Sequence, residues 1–427
     1  MKILIYGLNF TPELTGIGKY TGELAEWLTA QGHEVRVVAA PPHYPAWKIG
    51  DGFKNWWWFE QLDVHSRHVR HNECKGRLTV YRCPLWVPKQ LGGAKRLLHL
   101  ASFALSSLPV LLRQIFWRPH IVWVVEPTLA IQPAAWMVAG LSGAKAWLHV
   151  QDFEVDMAFE MGLLRRGWVR RLAIAIERGL IRRFDRVSTI SASMRSKLLQ
   201  KGVAIERVRD FPNWADLELI YPMIAQSELR ATLGFSAQDV VLLYSGNMGQ
   251  KQGLELLIQA AQRLQSVTKT PVHFVMCGDG AAKASLQKMA EGLSNMTWLP
   301  IQPLDQLNVL LNLADIHLLP QRADAADLVM PSKLTNMLAS GRAVIATALD
   351  GTEISCVVQS YGLVTPPGDV DALVEAIQRL ALDSEWRVKL GAAARKYAEK
   401  YLDKENILTQ FEINIFELIT LKNAKDA

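Results

Sequence analysis

Residues Val240 to Leu264, VVLLYSGNMGQKQGLELLIQAAQRL, constrain this chain more than any other stretch. VVLLY is a short, unbroken apolar run, as expected of a parallel strand covered on both faces. Gly246, Gly249 and Gly253 bracket a turn, and Leu254, Leu257, Ile258, Ala261 and Leu264 then recur at helical spacing. A strand that delivers glycines onto a helix start makes an anion site. The backbone can approach closely, the first N–H groups are unpaired, and the helix dipole favours negative charge. Lys251 adds a cation there. An ordinary βα turn is the plainer reading of the same residues.

Three further strand ends follow. VHFVMCGDG (Val272–Gly280) is a strand opening into a Gly-Asp-Gly turn, and ADIHLLPQ (Ala314–Gln321) is a short apolar strand. MPSKLTNMLASGRAVIATA (Met330–Ala348) reads as a loop, a helix starting near Ser332 and capped by it, a stop at Gly341 and a fourth strand. Lys333 falls in the first turn of that helix. A cation there opposes the dipole, and a bound anion would resolve the conflict. In open α/β sheets ligands sit beyond the carboxyl ends of the strands. Together these turns suggest a diphosphate-bearing ligand such as a nucleotide sugar.

YSGNMGQKQGLELLIQA, VMCGDG and PSKLTNMLASGRAVIA resemble the donor-binding half of retaining family-four glycosyltransferases. That resemblance covers nearly the whole chain. It implies an α/β GT-B fold, two Rossmann-like doubly wound domains facing across a cleft. The expected division is an acceptor-binding domain over 1–210, a donor-binding domain over 211–395, and a last helix over 396–427 packing back toward the first domain. FPNWAD (Phe211–Asp216) resembles the crossing segment, and its proline fits a hinge. MKILIYGLNFTPELTGIGKYTGELAEWLTAQGHEVRVVAAPPHYPAW, RCPLWVPKQ, HVQDFEVD and LDKEN are similar to the colanic-acid-type fucosyltransferases of enteric bacteria.

The resemblance implies transfer of a sugar, fucose from GDP-fucose, to an undecaprenyl-diphosphate-linked oligosaccharide. It assigns donor contacts to Gly246, Asn247, Lys251, Gly278, Asp279, Gly280, Pro331, Ser332, Lys333 and Asn336, and to the N-terminal glycine loop at Gly16 and Gly18, with Glu13 and Lys19 as weaker candidates. Charge develops on the leaving diphosphate, and Lys251 and Lys333 would stabilise it, so no metal and no cofactor is expected. Asp152, just past a strand end, would orient the acceptor hydroxyl or take its proton, with Glu154 and Asp156 nearby. Two positions depart from the family. Leu328 and Asn336 stand where relatives carry two glutamates; Asn336 keeps hydrogen-bonding capacity, and Asp324 or Asp327 would have to replace the other. Gln252 stands where lysine is common.

Composition narrows the rest. At 427 residues, two domains are the default. Cys74, Cys83, Cys277 and Cys356 lack metal spacing and read as reduced thiols of a cytosolic protein. The opening MKILIYGLNF is a first strand and a poor signal peptide. A net charge of +6 permits anionic partners, but no nucleic-acid module is visible. Residues Lys95–Pro119 are apolar, flanked by Lys95, Arg96, Arg113 and Arg118, and interrupted by Pro109. They read as too short and broken to span a membrane, and as either an in-plane membrane helix or a buried one. The tryptophans of Tyr44–Phe59 read as an interfacial surface or a packed cluster. Arg171, Arg178 and Arg182 fall near one stripe of a basic helix that faces anionic lipid, acceptor phosphates or solvent. Contact with an anionic membrane would place the protein on the inner face of the cytoplasmic membrane. A sugar-nucleotide epimerase of the same fold and an idle scaffold in a polysaccharide complex stay open. A dehydrogenase is disfavoured by the missing G-x-G-x-x-G.

Overall fold

The computed structural model describes residues 1–13, 16–44, 47–63, 76–88, 93–127, 129–156, 167–223, 228–249, 252–265, 271–323 and 331–423. The chain divides into two compact units, Met1–Phe211 with Leu408–Ala427, and Pro212–Ile407.

The first unit contains β1 (Lys2–Tyr6), α1 (Gly16–Ala30), β2 (Glu34–Ala39), β3 (Trp58–Leu62), β4 (Arg77–Arg82), α2 (Gly93–Trp117), β5 (Ile121–Glu126), α3 (Gln132–Ser142), β6 (Lys145–Val150), α4 (Gly167–Ile181), β7 (Arg186–Thr189), α5 (Ala192–Gln200) and β8 (Val208–Asp210). Among the described residues its sheet runs β3-β4-β2-β1-β5-β6-β7-β8. Among the described residues only the β3–β4 pair of this sheet is antiparallel. The apolar runs are continuous because both faces are covered: Ile3, Leu4 and Ile5 are all fully buried. Strand order reverses between β1 and β5, so the loops after these strands flank the unit's switch point.

The helix α2 corrects one expectation. Pro109 does not interrupt it; the helix runs unbroken for 25 residues. Pro109 lies on the exposed side, where water can take the carbonyl that the missing N–H leaves free. By length and composition alone, Lys95–Trp117 is apolar enough to cross a membrane. One stripe of it, His99, Phe103, Ser107, Leu111 and Gln114, is nevertheless buried in this unit. Ser107 meets the Tyr6 hydroxyl at 2.6 Å, and Gln114 Oε1 accepts from Arg36 Nη1 at 3.0 Å.

The second unit contains α6 (Glu228–Thr232), β9 (Val240–Ser245), α7 (Glu255–Leu264), β10 (Val272–Cys277), α8 (Lys283–Met289), β11 (Met296–Leu299), α9 (Leu307–Leu313), β12 (Ile316–Leu319), α10 (Ser332–Ala339), β13 (Ala343–Thr347), α11 (Glu353–Val358), β14 (Gly362–Thr365), α12 (Val370–Leu382) and α13 (Ser384–Tyr401). Its parallel sheet runs β11-β10-β9-β12-β13-β14 among the described residues. Side chains alternate across the sheet. Val240, Leu242 and Tyr244 pack on one face with Leu257, Ile258, Phe274 and Ile377. Val241 and Leu243 pack on the other with Val275, Leu310 and Leu313. Order reverses between β9 and β12, which puts this unit's switch point beside the end of β9.

The last helix, α14 (Lys404–Asn423), begins in the second unit and from Leu408 belongs to the first. Phe411 stacks on Phe211 with ring centroids 4.5 Å apart and touches Trp147 at 5.0 Å. Burying that ring contributes about 2–3 kcal/mol. Glu412 Oε1 meets His33 Nε2 at 2.5 Å.

Candidate functional site

Three loops meet at the carboxyl edge of the second unit's sheet. The turn after β9 and the turn after β10 interlock. Gly246 N donates to Cys277 O at 3.0 Å, Met248 N donates to Asp279 O at 2.8 Å, and Ala282 N donates to Met248 O at 2.9 Å. The approach is so close that only glycine fits at two positions. A Cβ on Gly278 would stand 2.0 Å from Gly246 O, and one on Gly280 would stand 2.6 Å from Met248 O and Asn247 Oδ1. Asp279 braces its own turn, its Oδ1 accepting from Gly280 N at 2.8 Å. The Tyr244 hydroxyl donates to Asn247 O at 2.6 Å, tying the glycine turn down onto its strand. Lys283 Nζ donates to Gly278 O at 3.0 Å.

The third loop delivers α10. Pro331 occupies the position before its first residue in an extended conformation, and no side chain caps the helix. The expected cap by Ser332 is therefore corrected. Ser332 lies inside the helix, and its carbonyl accepts from Thr335 Oγ1 at 2.7 Å. Without a side-chain cap, the helix start keeps N–H groups available for an anion.

Lys333 points back over the glycine turn. Its Nζ lies 4.7 Å from the Tyr244 ring centroid, and its Cδ lies 3.7 Å from where a Cβ on Gly246 would be. Burial pushes its ammonium down to about 8. Among the described residues no carboxylate lies within ion-pair distance of it, so this half-buried cation has only an aromatic face as partner. One turn along, Asn336 Oδ1 is buried and lacks a hydrogen-bond partner. Gly246, Asn247, Gly278, Asp279, Gly280 and Lys333 thus form one contiguous set, with Pro331, Ser332 and Asn336 on the adjoining helix. Lys251, Asp324, Asp327 and Leu328 lie outside the described residues.

In the first unit, Gly16 (φ +61°) is the first residue of α1. Gly18 packs against Glu13: a Cβ there would lie 2.7 Å from Glu13 Cβ. Glu13 is buried and accepts from His43 N at 3.0 Å, Tyr44 N at 3.1 Å and Asn9 Nδ2 at 2.9 Å. It locks the loop after β1, which flanks the switch point, to the loop after β2. Asp152 follows β6, is partly buried, and helps raise the Tyr44 phenol behind burial and Glu13. Its neighbours have partners of their own. Glu154 Oε2 accepts from Leu129 N at 2.6 Å, and Asp156 pairs with Lys197 at 3.3 Å and Lys201 at 3.4 Å. These long-range ties explain both carboxylates as loop braces. Sequence reasoning missed Glu126, which closes β5 fully buried with both carboxylate oxygens unpartnered. Burial first, then Glu177, pushes it well above the usual carboxylate range. A lone acid ending an apolar strand was its only signal. Among the described residues no three His, Cys, Asp or Glu side chains are grouped to hold a metal ion.

Comparison with known proteins adds to this geometry. Residues 15–214 match the glycosyl transferase 4-like domain, and residues 225–397 match the glycosyl transferases group 1 domain. A protein of Escherichia coli K12 that carries the provisional name colanic acid biosynthesis glycosyl transferase WcaI is 46% identical over 96% of this chain and 98% of its own. Sucrose-phosphate synthase from Thermosynechococcus elongatus superposes with a TM-score of 0.74 at 18% identity, covering 99% of this chain and 100% of that one. HepE of Anabaena, solved with UDP-glucose, gives 0.66 at 15% identity, covering 98% and 100%. The chain belongs to the group 1, family-four glycosyltransferases and has their GT-B fold of two α/β units built on parallel sheets.

Proposed function

We propose that the chain is a retaining transferase that moves a sugar, fucose from GDP-fucose, to an undecaprenyl-diphosphate-linked oligosaccharide in exopolysaccharide assembly of the colanic-acid type. The observation that carries this reading is Lys333: a half-buried ammonium with no carboxylate of its own among the described residues, set over the glycine-bearing Gly246 turn and at the start of an uncapped helix. Such a place suits a diphosphate. As the bond from the anomeric carbon to the diphosphate oxygen breaks, its electron pair leaves with the nucleoside diphosphate. Lys333, Lys251 and the N–H groups of the Gly246 turn other than those of Gly246 and Met248, which already donate to Cys277 and Asp279, stabilise that charge, an effect that grows in a dry site. Asn336 Oδ1, buried and unpartnered, is an acceptor for a donor hydroxyl. Asp152 orients the acceptor hydroxyl and takes its proton as the acceptor oxygen bonds to the anomeric carbon. Gly16 and Gly18 are assigned to the donor phosphates by family resemblance.

The GDP-fucose and lipid-linked acceptor assignments rest on likeness to the Escherichia coli relative. A lipid acceptor is favoured further by the surface of the first unit. Trp56, Trp57, Trp86, Leu97, Leu98 and Leu105 are all exposed. Hydrogen bonds join them into one surface: Trp57 Nε1 donates to Ser106 O at 2.8 Å, and Trp86 N donates to Ser102 Oγ at 2.9 Å. Indole rings and leucines beside Arg96 and Lys95 suit the water–lipid boundary of an anionic membrane. We assign the protein to the inner face of the cytoplasmic membrane on this ground.

The test is transfer of labelled sugar from GDP-fucose, UDP-glucose and UDP-galactose to membrane lipid extracts of a producing strain. Label from GDP-fucose alone entering the lipid fraction supports the full reading. Label from a UDP-sugar instead keeps the transferase and replaces the donor. Release of the nucleotide with an isomerised free sugar and no labelled lipid would favour the epimerase.

A further inference from the structure

The glycine turns occupy one edge of the second unit's sheet. At the opposite edge, where β12 and β13 begin, lies a cavity of about 490 Å³ lined by Asp315, Arg342, Arg387, Arg395, Lys396 and Glu399 among others. Both carboxylates are already engaged. Asp315 Oδ2 accepts from Val241 N at 2.8 Å and from Arg230 Nη1 at 3.0 Å. Glu399 Oε1 accepts from Arg395 Nε at 2.8 Å. Arg342, Arg387 and Lys396 are left at the cavity with no ion pair among the described residues.

The two guanidinium groups are also held in place. Arg342 Nη2 donates to Met223 O at 3.2 Å and Asn312 Oδ1 at 3.1 Å. Arg387 Nη1 donates to Leu380 O and, at 2.8 Å, to Ala381 O. Each fork is fixed through one nitrogen while its other N–H groups stay unclaimed among the described residues. Arg342 Nε is buried with no acceptor among the described residues, and a buried donor left unpaired is costly. Burial pulls both guanidinium groups below the usual arginine range; Asp315 opposes this at both, Asp383 also at Arg387, and Arg230 adds repulsion. The cavity therefore carries oriented donors and positive charge that this unit does not cancel.

We propose that this cavity binds a phosphate or diphosphate group, either free or carried by a small sugar phosphate, as a site separate from the glycine turns. Guanidinium forks match phosphate oxygens bidentately, and Lys396 supplies a movable point charge. The volume lies in the range of small-molecule pockets. The site also has a route to the first one. Gly341 and Arg342 stand at the end of α10, and Lys333 stands in its first turn, about 12 Å away along the helix. An occupant that fixes Arg342 therefore steadies the helix that carries Lys333.

The experiment is thermal unfolding of the full chain with inorganic phosphate, inorganic diphosphate or glucose 1-phosphate. The last two separate a free anion from a sugar-borne one. It is repeated with Lys396→Glu, an exposed position, and with Lys333→Ala at the other sheet edge. We expect a midpoint rise of about 2 °C or more with at least one of these ligands. The rise is lost in Lys396→Glu and kept in Lys333→Ala. No rise with any of the three overturns the site. So does a rise that survives Lys396→Glu. A rise lost only in Lys333→Ala places the anion at the glycine turns instead.

Discussion

The carbonyl oxygen of Gly246 stands 2.0 Å from the place where any other residue would put a Cβ at position 278. The obstacle is backbone, so it cannot swing aside as a side chain would. Two strand ends are therefore locked into one rigid surface by the absence of a single atom.

Gly278→Ala must part the two turns and break the Gly246 N to Cys277 O bond. The backbone at position 278, with φ +149°, is also one that alanine adopts poorly. We expect a loss of about 3 kcal/mol or more in urea unfolding, together with loss of nucleotide binding. A variant as stable as the parent would show that the loops do not interlock.

Lys333 gives a pH signature with two opposite signs. Burial lowers it from 10.5 to about 8. Between those pH values the unfolded chain holds the extra proton, so unliganded stability should rise as pH goes from about 8 to about 10.5. Diphosphate binding needs the ammonium, so nucleotide affinity should fall over the pH range above about 8. Lys333→Met should flatten both profiles. Unfolding curves and calorimetry across this range check each sign separately.

Glu13 holds two loops through three hydrogen bonds. Glu13→Ala leaves one buried and one partly buried backbone N–H group unpaired and should cost about 2–3 kcal/mol. Glu13→Gln keeps an acceptor oxygen and should cost about 1 kcal/mol. Gly18→Ala, pressed against Glu13, should resemble the alanine variant more than the glutamine one. Urea unfolding ranks the three.

Leu98→Glu and Leu105→Glu change exposed positions on α2. Each should leave stability within about 0.5 kcal/mol of the parent. Flotation with vesicles containing anionic phosphatidylglycerol should drop at least severalfold. Unchanged flotation would remove this face from the membrane.

Much of the architecture was legible because parallel strands buried on both faces leave continuous apolar runs. VVLLY, VHFVMC and IVWVVE each became a strand. Lys333 was legible as a conflict, a cation where the helix dipole opposes it. What failed depended on partners distant in sequence. The segment WFEQL is an antiparallel edge strand that went unread, because its pairing partner Arg77–Arg82 lies well along the chain and its own pattern is not a buried apolar run. Pro109 read as a break because burial, which puts it on the wet side of α2, is invisible in sequence. The ties of Glu154 to Leu129 and of Asp156 to Lys197 and Lys201 were illegible because those partners are far away along the chain. Ser332 was misplaced by one residue, enough to turn a cap into a first helical residue.

The most direct measurement is calorimetric titration of the purified protein with GDP, UDP and ADP, repeated with Lys333→Ala. The account predicts selective binding of one nucleotide, GDP, weakened at least tenfold by the substitution, about 1.4 kcal/mol. No binding by any of the three would contradict the donor site at the glycine turns. Binding that Lys333→Ala leaves unchanged would contradict the placement of the diphosphate on that lysine.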